Sequence, residues 1–131
     1  MCSSDLHMQR AARALARIFD EAFRPLDLTN GQFTLMMALR QGGAKSIGRL
    51  ATVLAMDRTT LTAALKPLER RGLVTVTVDE ADKRSRLLAI TPAGLALLDR
   101  ALPIWRRAHA EVEKMVPGGA DRLRTDLRTL S

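Results

Sequence analysis

The sequence predicts a mainly α-helical fold carrying one small β-hairpin, and three observations carry that expectation. Apolar residues recur at three- and four-residue spacing along most of the chain. One stretch, Val74, Val76 and Val78, switches to strict alternation, and Pro and Gly separate the periodic segments. The 131 residues suit one domain with a real core, and 47% hydrophobic against 27% charged residues is a globular composition, not a disordered one. Lys and Arg number 21 against 14 Asp and Glu, a net charge of +7 that attracts polyanions. An ordinary solvated surface can carry such a charge too, so a motif must accompany it. No run approaches the ~18 consecutive apolar residues of a membrane span, and no apolar signal-peptide core opens the chain. A cytoplasmic protein without membrane association is expected, and the single Cys2 has no partner for an internal disulfide. Residues 1–8 are read as a leader, flexible or left from cloning.

Between Arg10 and Phe23, Leu15, Ile18, Phe19, Ala22 and Phe23 form one helical stripe that Pro25 ends. Thr29 and Gln32 then present the T-x-x-Q pattern of a capping box, in which each side chain satisfies an amide the new helix leaves unpaired. Phe33, Met36 and Met37 give this second helix its apolar face, and Gly42-Gly43 closes it. Ser46 caps a short third helix with Ile47, Leu50, Ala51 and Leu54 on one side. Asp57 caps a fourth, with Leu61, Leu65 and Leu68 inward and Gly72 at its end. Short helices joined by about three residues must cross steeply, which is helix-turn-helix geometry.

After Gly72 the valines alternate with Thr75 and Thr77, β-branched residues that suit a pleated strand. The polar segment Asp79 to Arg86 and a second strand from Leu87 to Ile90 complete a hairpin with a charged tip, a wing. Thr91 and Pro92 open a long helix as cap and first-turn proline. On it Leu95, Leu98, Leu102, Trp105, His109, Val112 and Val116 repeat as a heptad stripe that wants a second helix, and Pro103 is expected to kink the rod. Pro117-Gly118-Gly119 breaks the helix, and Leu123, Leu127 and Leu130 give the last one its apolar face.

Two constellations carry chemistry. On the fourth helix Arg58, Thr62 and Lys66 lie four apart with Thr59 beside them, facing away from the leucines. Arg and Lys reach guanine acceptors in a major groove and Thr methyls touch thymine, so the position after a tight turn favours DNA contact over a solvated face. At the hairpin tip Asp82-Lys83-Arg84-Ser85-Arg86 places three cations where no core exists. An inserted arginine suits a narrow minor groove, and Asp82 is expected to orient it through a bidentate pair. A tip that merely keeps the hairpin soluble is the plainer alternative.

The run DRTTLTAALKPLERRGLV, closing with Leu68, Glu69, Gly72, Leu73 and Val74, resembles the recognition helix of the MarR family of winged helix-turn-helix regulators. Asp79 to Arg84 is similar to that family's D-x-x-D-x-R wing, and Thr91-Pro92-Ala93-Gly94 to the T-x-x-G opening its dimerisation helix. The resemblance implies one domain over residues 1–131: residues 9–24 and 92–131 as dimerisation helices flanking a winged helix-turn-helix lobe at 29–91. It implies a transcription regulator, repressor or activator, acting as a homodimer on a pseudo-palindrome of double-stranded DNA, with recognition helices in major grooves and Arg84 in a minor groove. Leu15, Leu98, Leu102, Trp105 and Leu127 are the expected dimer contacts. A small aromatic or carboxylated effector is implied as a ligand; redox sensing is disfavoured, since the chain has no tyrosine beside its Cys2. Pro67 departs from the pattern and is expected to shorten or kink the helix after Lys66, and Thr75 stands where an arginine often follows.

No Gly-rich phosphate loop, metal-spaced cluster or nucleophile motif occurs, and His7 and His109 have no evident partner. No enzyme, metal or cofactor is therefore expected. A helical protein-interaction module, with the heptad stripe as its function, is the alternative. Structured RNA is disfavoured because a helix cannot read its narrow major groove.

Overall fold

The structure, a computed structural model, describes residues 4–131. The elements are α1 (Ser4–Phe23), a 3-10 turn (Arg24–Leu26), α2 (Asn30–Arg40), β1 (Lys45–Ser46), α3 (Ile47–Val53), α4 (Arg58–Arg70), β2 (Val74–Val78), β3 (Arg86–Ile90), α5 (Pro92–Glu113) and α6 (Ala120–Arg128). They fall into two compact units. One combines the chain up to Asn30 with Leu102–Ser131; the other is Gly31–Ala101.

In the first unit α1 is already helical at Ser4, ahead of the periodic run from Arg10, and Asp5 accepts a hydrogen bond from Gln9 Nε2 at 3.1 Å. Residues 4–8 of the expected leader are helical; residues 1–3 of that segment, Cys2 included, lie outside the described residues. Pro25 converts the end of α1 into the 3-10 turn, and Asp27 takes a left-handed φ of 51° beyond it. Asp20 Oδ1 accepts the Asn30 amide at 2.6 Å, a cap supplied from ten residues upstream that local pattern does not reveal. His109 has partners after all. It stacks on Trp105 at 4.5 Å between ring centroids, and its Nε2 meets Glu113 Oε1 at 2.6 Å, one helical turn on. Arg124 of α6 reaches the same carboxylate oxygen at 3.5 Å, linking α6 to α5.

The second unit holds most of the buried apolar residues, among them Phe33, Met36, Leu39, Leu50, Leu61, Leu65, Leu68, Leu73, Val74 and Leu88. Its sheet has three antiparallel strands in the order β1-β3-β2, with Val76 opposite Leu88 and Lys45 opposite Leu88 on the other side. The hairpin predicted from the valine alternation is its β2–β3 pair. β1 is only two residues long and carries no readable period.

Thr91 fixes how α5 leaves the sheet. Its hydroxyl donates to the Gly72 carbonyl at 2.6 Å and accepts the Gly94 amide at 3.0 Å, while its own amide donates to the Leu73 carbonyl at 3.0 Å. Gly94 is fully enclosed there. A Cβ on it would overlap the Leu73 carbonyl oxygen and approach Ile90 Cγ1 to 2.7 Å, so the glycine serves close packing and not an unusual φ.

The same seat corrects the expected stripe. Leu97, Leu98 and Ala101 are buried in the chain, and Leu98, at 0% exposure, has no surface to offer a partner. These first turns of α5 belong to the second compact unit, Gly31–Ala101. Pro67 does not shorten its helix. α4 continues past Pro67 to Arg70, and α5 past Pro103 to Glu113. Each proline removes one backbone donor from its helix.

Gly94→Ala is expected to cost at least the ~1–3 kcal/mol of an overpacked core, because the obstruction is backbone that cannot rotate away. Chemical denaturation checks this: an unchanged midpoint would show that the junction has slack.

Candidate nucleic-acid interface

Asp57 starts α4 as the sequence leads one to expect. Its side chain accepts the Thr60 amide at 3.3 Å, with its own backbone extended at φ −77° and ψ 155°. The Thr60 hydroxyl and then the Thr60 amide hold the Asp57 carboxyl below the ordinary aspartate value. Behind it, the α3–α4 turn closes with two backbone bonds, Met56 N–H to Ala51 C=O at 2.9 Å and Ala55 N–H to Thr52 C=O at 3.2 Å. This is a Schellman closure with Ala55 in the left-handed position, φ 53°, where glycine is the usual occupant. α4 ends in the same motif around Gly72, φ 73°: Leu73 N–H reaches Leu68 C=O at 2.9 Å and Gly72 N–H reaches Glu69 C=O at 3.0 Å. The two closures fix the direction and length of α4.

Leu61, Leu65 and Leu68 are buried while Arg58, Thr59, Thr62 and Lys66 are exposed. The four polar residues do not form one row. On a helix turning about 100° per residue, Arg58 stands about 20° from Leu65, at the edge of the buried face, whereas Thr59, Thr62 and Lys66 lie further round. The Arg58 guanidinium accordingly lies back against α3 at Gly48.

At the wing, two Asx turns shape the tip. Asp79 Oδ1 accepts the Ala81 amide at 2.9 Å, and Asp82 Oδ1 accepts the Arg84 amide at 3.1 Å. Asp82 therefore meets Arg84 through its backbone, and no Asp82–Arg84 ion pair occurs among the described residues; the expected bidentate pair is replaced because a two-residue spacing suits the Asx turn. Arg86 donates to the Lys83 and Ser85 carbonyls at 3.4 Å, folding its charge onto the turn. Lys83 and Arg84 remain exposed. Residues 31–101 carry eleven Lys and Arg against six Asp and Glu, so most of the chain's excess charge lies on this unit. Arg49, exposed in the first turn of α3, adds a cation that the sequence reading passed over for want of a motif around it. Among the described residues no three His, Cys, Asp or Glu side chains converge to hold a metal ion.

The MarR family model matches residues 28–85, from before α2 through the wing. The structure of M. tuberculosis transcriptional regulator MosR in complex with DNA superposes with a TM-score of 0.89 at 36% identity, covering 98% of this chain and 93% of that one. The chain belongs to the MarR family. All six candidate DNA-binding residues of this MarR-family chain lie inside the matched stretch. The structure on regulation of DNA binding of Bordetella bronchiseptica BpsR by 6-hydroxynicotinic acid gives 0.87 at 27% identity, covering 98% and 92%. The transcriptional repressor NicR of Pseudomonas putida is 31% identical over 100 residues, 76% of this chain and 63% of NicR, so the match spans less than two thirds of that relative.

The depressed Asp57 value sets a pH dependence. A carboxyl with a folded value below its unfolded 3.8 contributes stability that is present above 3.8 and lost as pH falls through the folded value. Asp57→Asn, which keeps the cap but cannot ionise, should remove that acid-side loss while leaving neutral-pH melting nearly unchanged. Parallel melts from pH 7 to pH 2 check this, and identical pH profiles would contradict the assignment.

Proposed function

We propose that the chain is a sequence-specific, double-stranded DNA-binding transcription regulator, a repressor that acts as a homodimer on a pseudo-palindromic site. The observation that carries the reading is the outward row Thr59, Thr62 and Lys66 on a helix held at both ends, with Lys83 and Arg84 exposed on the wing of the same unit. Thr and Lys at the front of such a helix can read a major groove, and Arg84 can enter the adjoining minor groove, its backbone oriented by Asp82. The similarity to MosR, whose structure contains DNA, supports the assignment.

The dimer is carried in this reading by the first unit. There Leu15 is 38% and Leu127 46% exposed, Leu102 and Trp105 are half-buried, and Met115, Leu123 and Leu130 are exposed as well. Apolar side chains left at the surface of three helices favour burial against a second copy. A small aromatic or carboxylated effector modulating DNA affinity is part of the proposal, supported by 6-hydroxynicotinic acid as the regulator of BpsR. The protein acts by binding and not by catalysis, and its place is the cytoplasm, where the DNA is. No described helix is long and apolar enough to cross a membrane.

Selection of bound sequences from random duplexes, at two salt concentrations, tests the assignment; enrichment of a two-fold symmetric site is expected, and no enrichment would return the chain to the class of helical interaction modules. On the selected duplex, Lys66→Ala and Arg84→Ala should each weaken binding by about 1–3 kcal/mol, five- to 150-fold, with unchanged melting. Symmetry applies an interface substitution twice. Leu127→Lys should therefore raise the dimer dissociation constant by about 100-fold or more, read by sedimentation, and a variant as dimeric as the wild type would remove α6 from the interface.

A further inference from the structure

Gly48 is the second residue of α3, a helix of only seven residues, and glycine is a poor helix former. Its backbone does not require glycine, unlike Gly42, Gly43, Gly72 and Gly119, which all have positive φ. What a side chain would meet is Arg58: a Cβ on Gly48 would stand 2.6 Å from Arg58 Nη2 and 3.4 Å from Cζ. The guanidinium thus occupies the space that the missing side chain leaves. Arg58 makes no ion pair with any described carboxylate, so no charge partner draws it there. Its direction follows from its place at the edge of the buried face of α4 and from the gap on α3.

We propose that Gly48 is a positioning residue for Arg58. By leaving room on α3 it turns the guanidinium away from the row Thr59, Thr62 and Lys66 and presents it to the DNA backbone, making Arg58 a phosphate contact and not a reader of bases. The inference rests on the DNA-binding function proposed above. A guanidinium presents a planar fork of donors that matches a phosphate, and contacts of this kind set register without carrying sequence information. The division of labour on α4 is then one phosphate anchor at its first residue and three groove-facing side chains behind it.

The test uses the full chain, the duplex it selects from a random library, and a scrambled duplex of equal length. Arg58→Ala should weaken binding to both duplexes by the same factor, about tenfold, and lower the slope of log affinity against log salt by about one. Gly48→Ala should reproduce much of that loss on both duplexes, with a melting temperature equal to or above wild type because alanine favours the helix. The double variant should be no weaker than Arg58→Ala alone. Gly48→Ala binding like wild type, losses that multiply in the double variant, or an Arg58→Ala loss confined to the selected duplex would each overturn the inference while leaving the DNA-binding reading intact. A wild-type chain that binds neither duplex would overturn both.

Discussion

The helix-turn-helix unit depends on one junction, where the turn after α4 meets the start of α5. Thr91 binds there through its hydroxyl and its amide, to the carbonyls of Gly72 and Leu73. The absence of a side chain at Gly94 allows the helix to close on the Leu73 carbonyl. Both carbonyls lie just past the end of α4, and Thr91 donates to each while capping the next helix. The end of α4, the start of β2, the end of β3 and the start of α5 are thereby tied at a single point. The candidate recognition helix is held at its far end by the same closure, since the Schellman bonds around Gly72 precede Thr91's partners directly.

Opposite that anchor, local chemistry starts α4. Asp57 caps it and Ala55 turns the chain into it at a left-handed φ that alanine adopts at a cost of roughly 1–2 kcal/mol. The chain tolerates this strain because the two backbone bonds of the turn and the burial of Leu50, Ala51 and Leu61 on either side determine the crossing. Cations then need only occupy what remains exposed. Lys66, Lys83, Arg84 and Arg49 do so without carboxylate partners among the described residues, whereas Arg40 pairs with Asp99 and Arg86 folds onto the wing's own carbonyls. Exposed cations without carboxylate partners have no ion pair to give up on meeting a polyanion, which releases counterions as they bind.

Most of the helices were legible from residue order, because their information is local. Ser46 and Asp57 cap the helices they precede, Gly72 ends α4, and the valine alternation marks β2, each through contacts within four or five residues or through a two-residue period. The candidate contacts were legible for the same reason, since Thr59, Thr62, Lys66 and Arg84 follow from helical or hairpin phase. The misreadings were of residues whose partners are elsewhere or whose geometry has two solutions. Asp20 caps a helix ten residues away. β1 exists only because β3 lies beside it. Asp82 could meet Arg84 by its side chain or its amide, and the compact turn selects the amide.

Leu98 separates the two kinds of knowledge most sharply. By its heptad position it belongs to the same stripe as Leu102 and Trp105, and periodicity gives no reason to distinguish them. The seat of Gly94 against Leu73 lays the first turns of α5 into the unit's own core, leaving Leu98 with no exposed surface. Sequence by itself determined the main helices, the β2–β3 hairpin and which residues share a face, because short-range hydrogen bonding and periodicity decide these. Only the tertiary structure decided which partner each face meets, and so where Leu98 is buried and where Arg58 lies, because packing is settled by residues far apart in the chain.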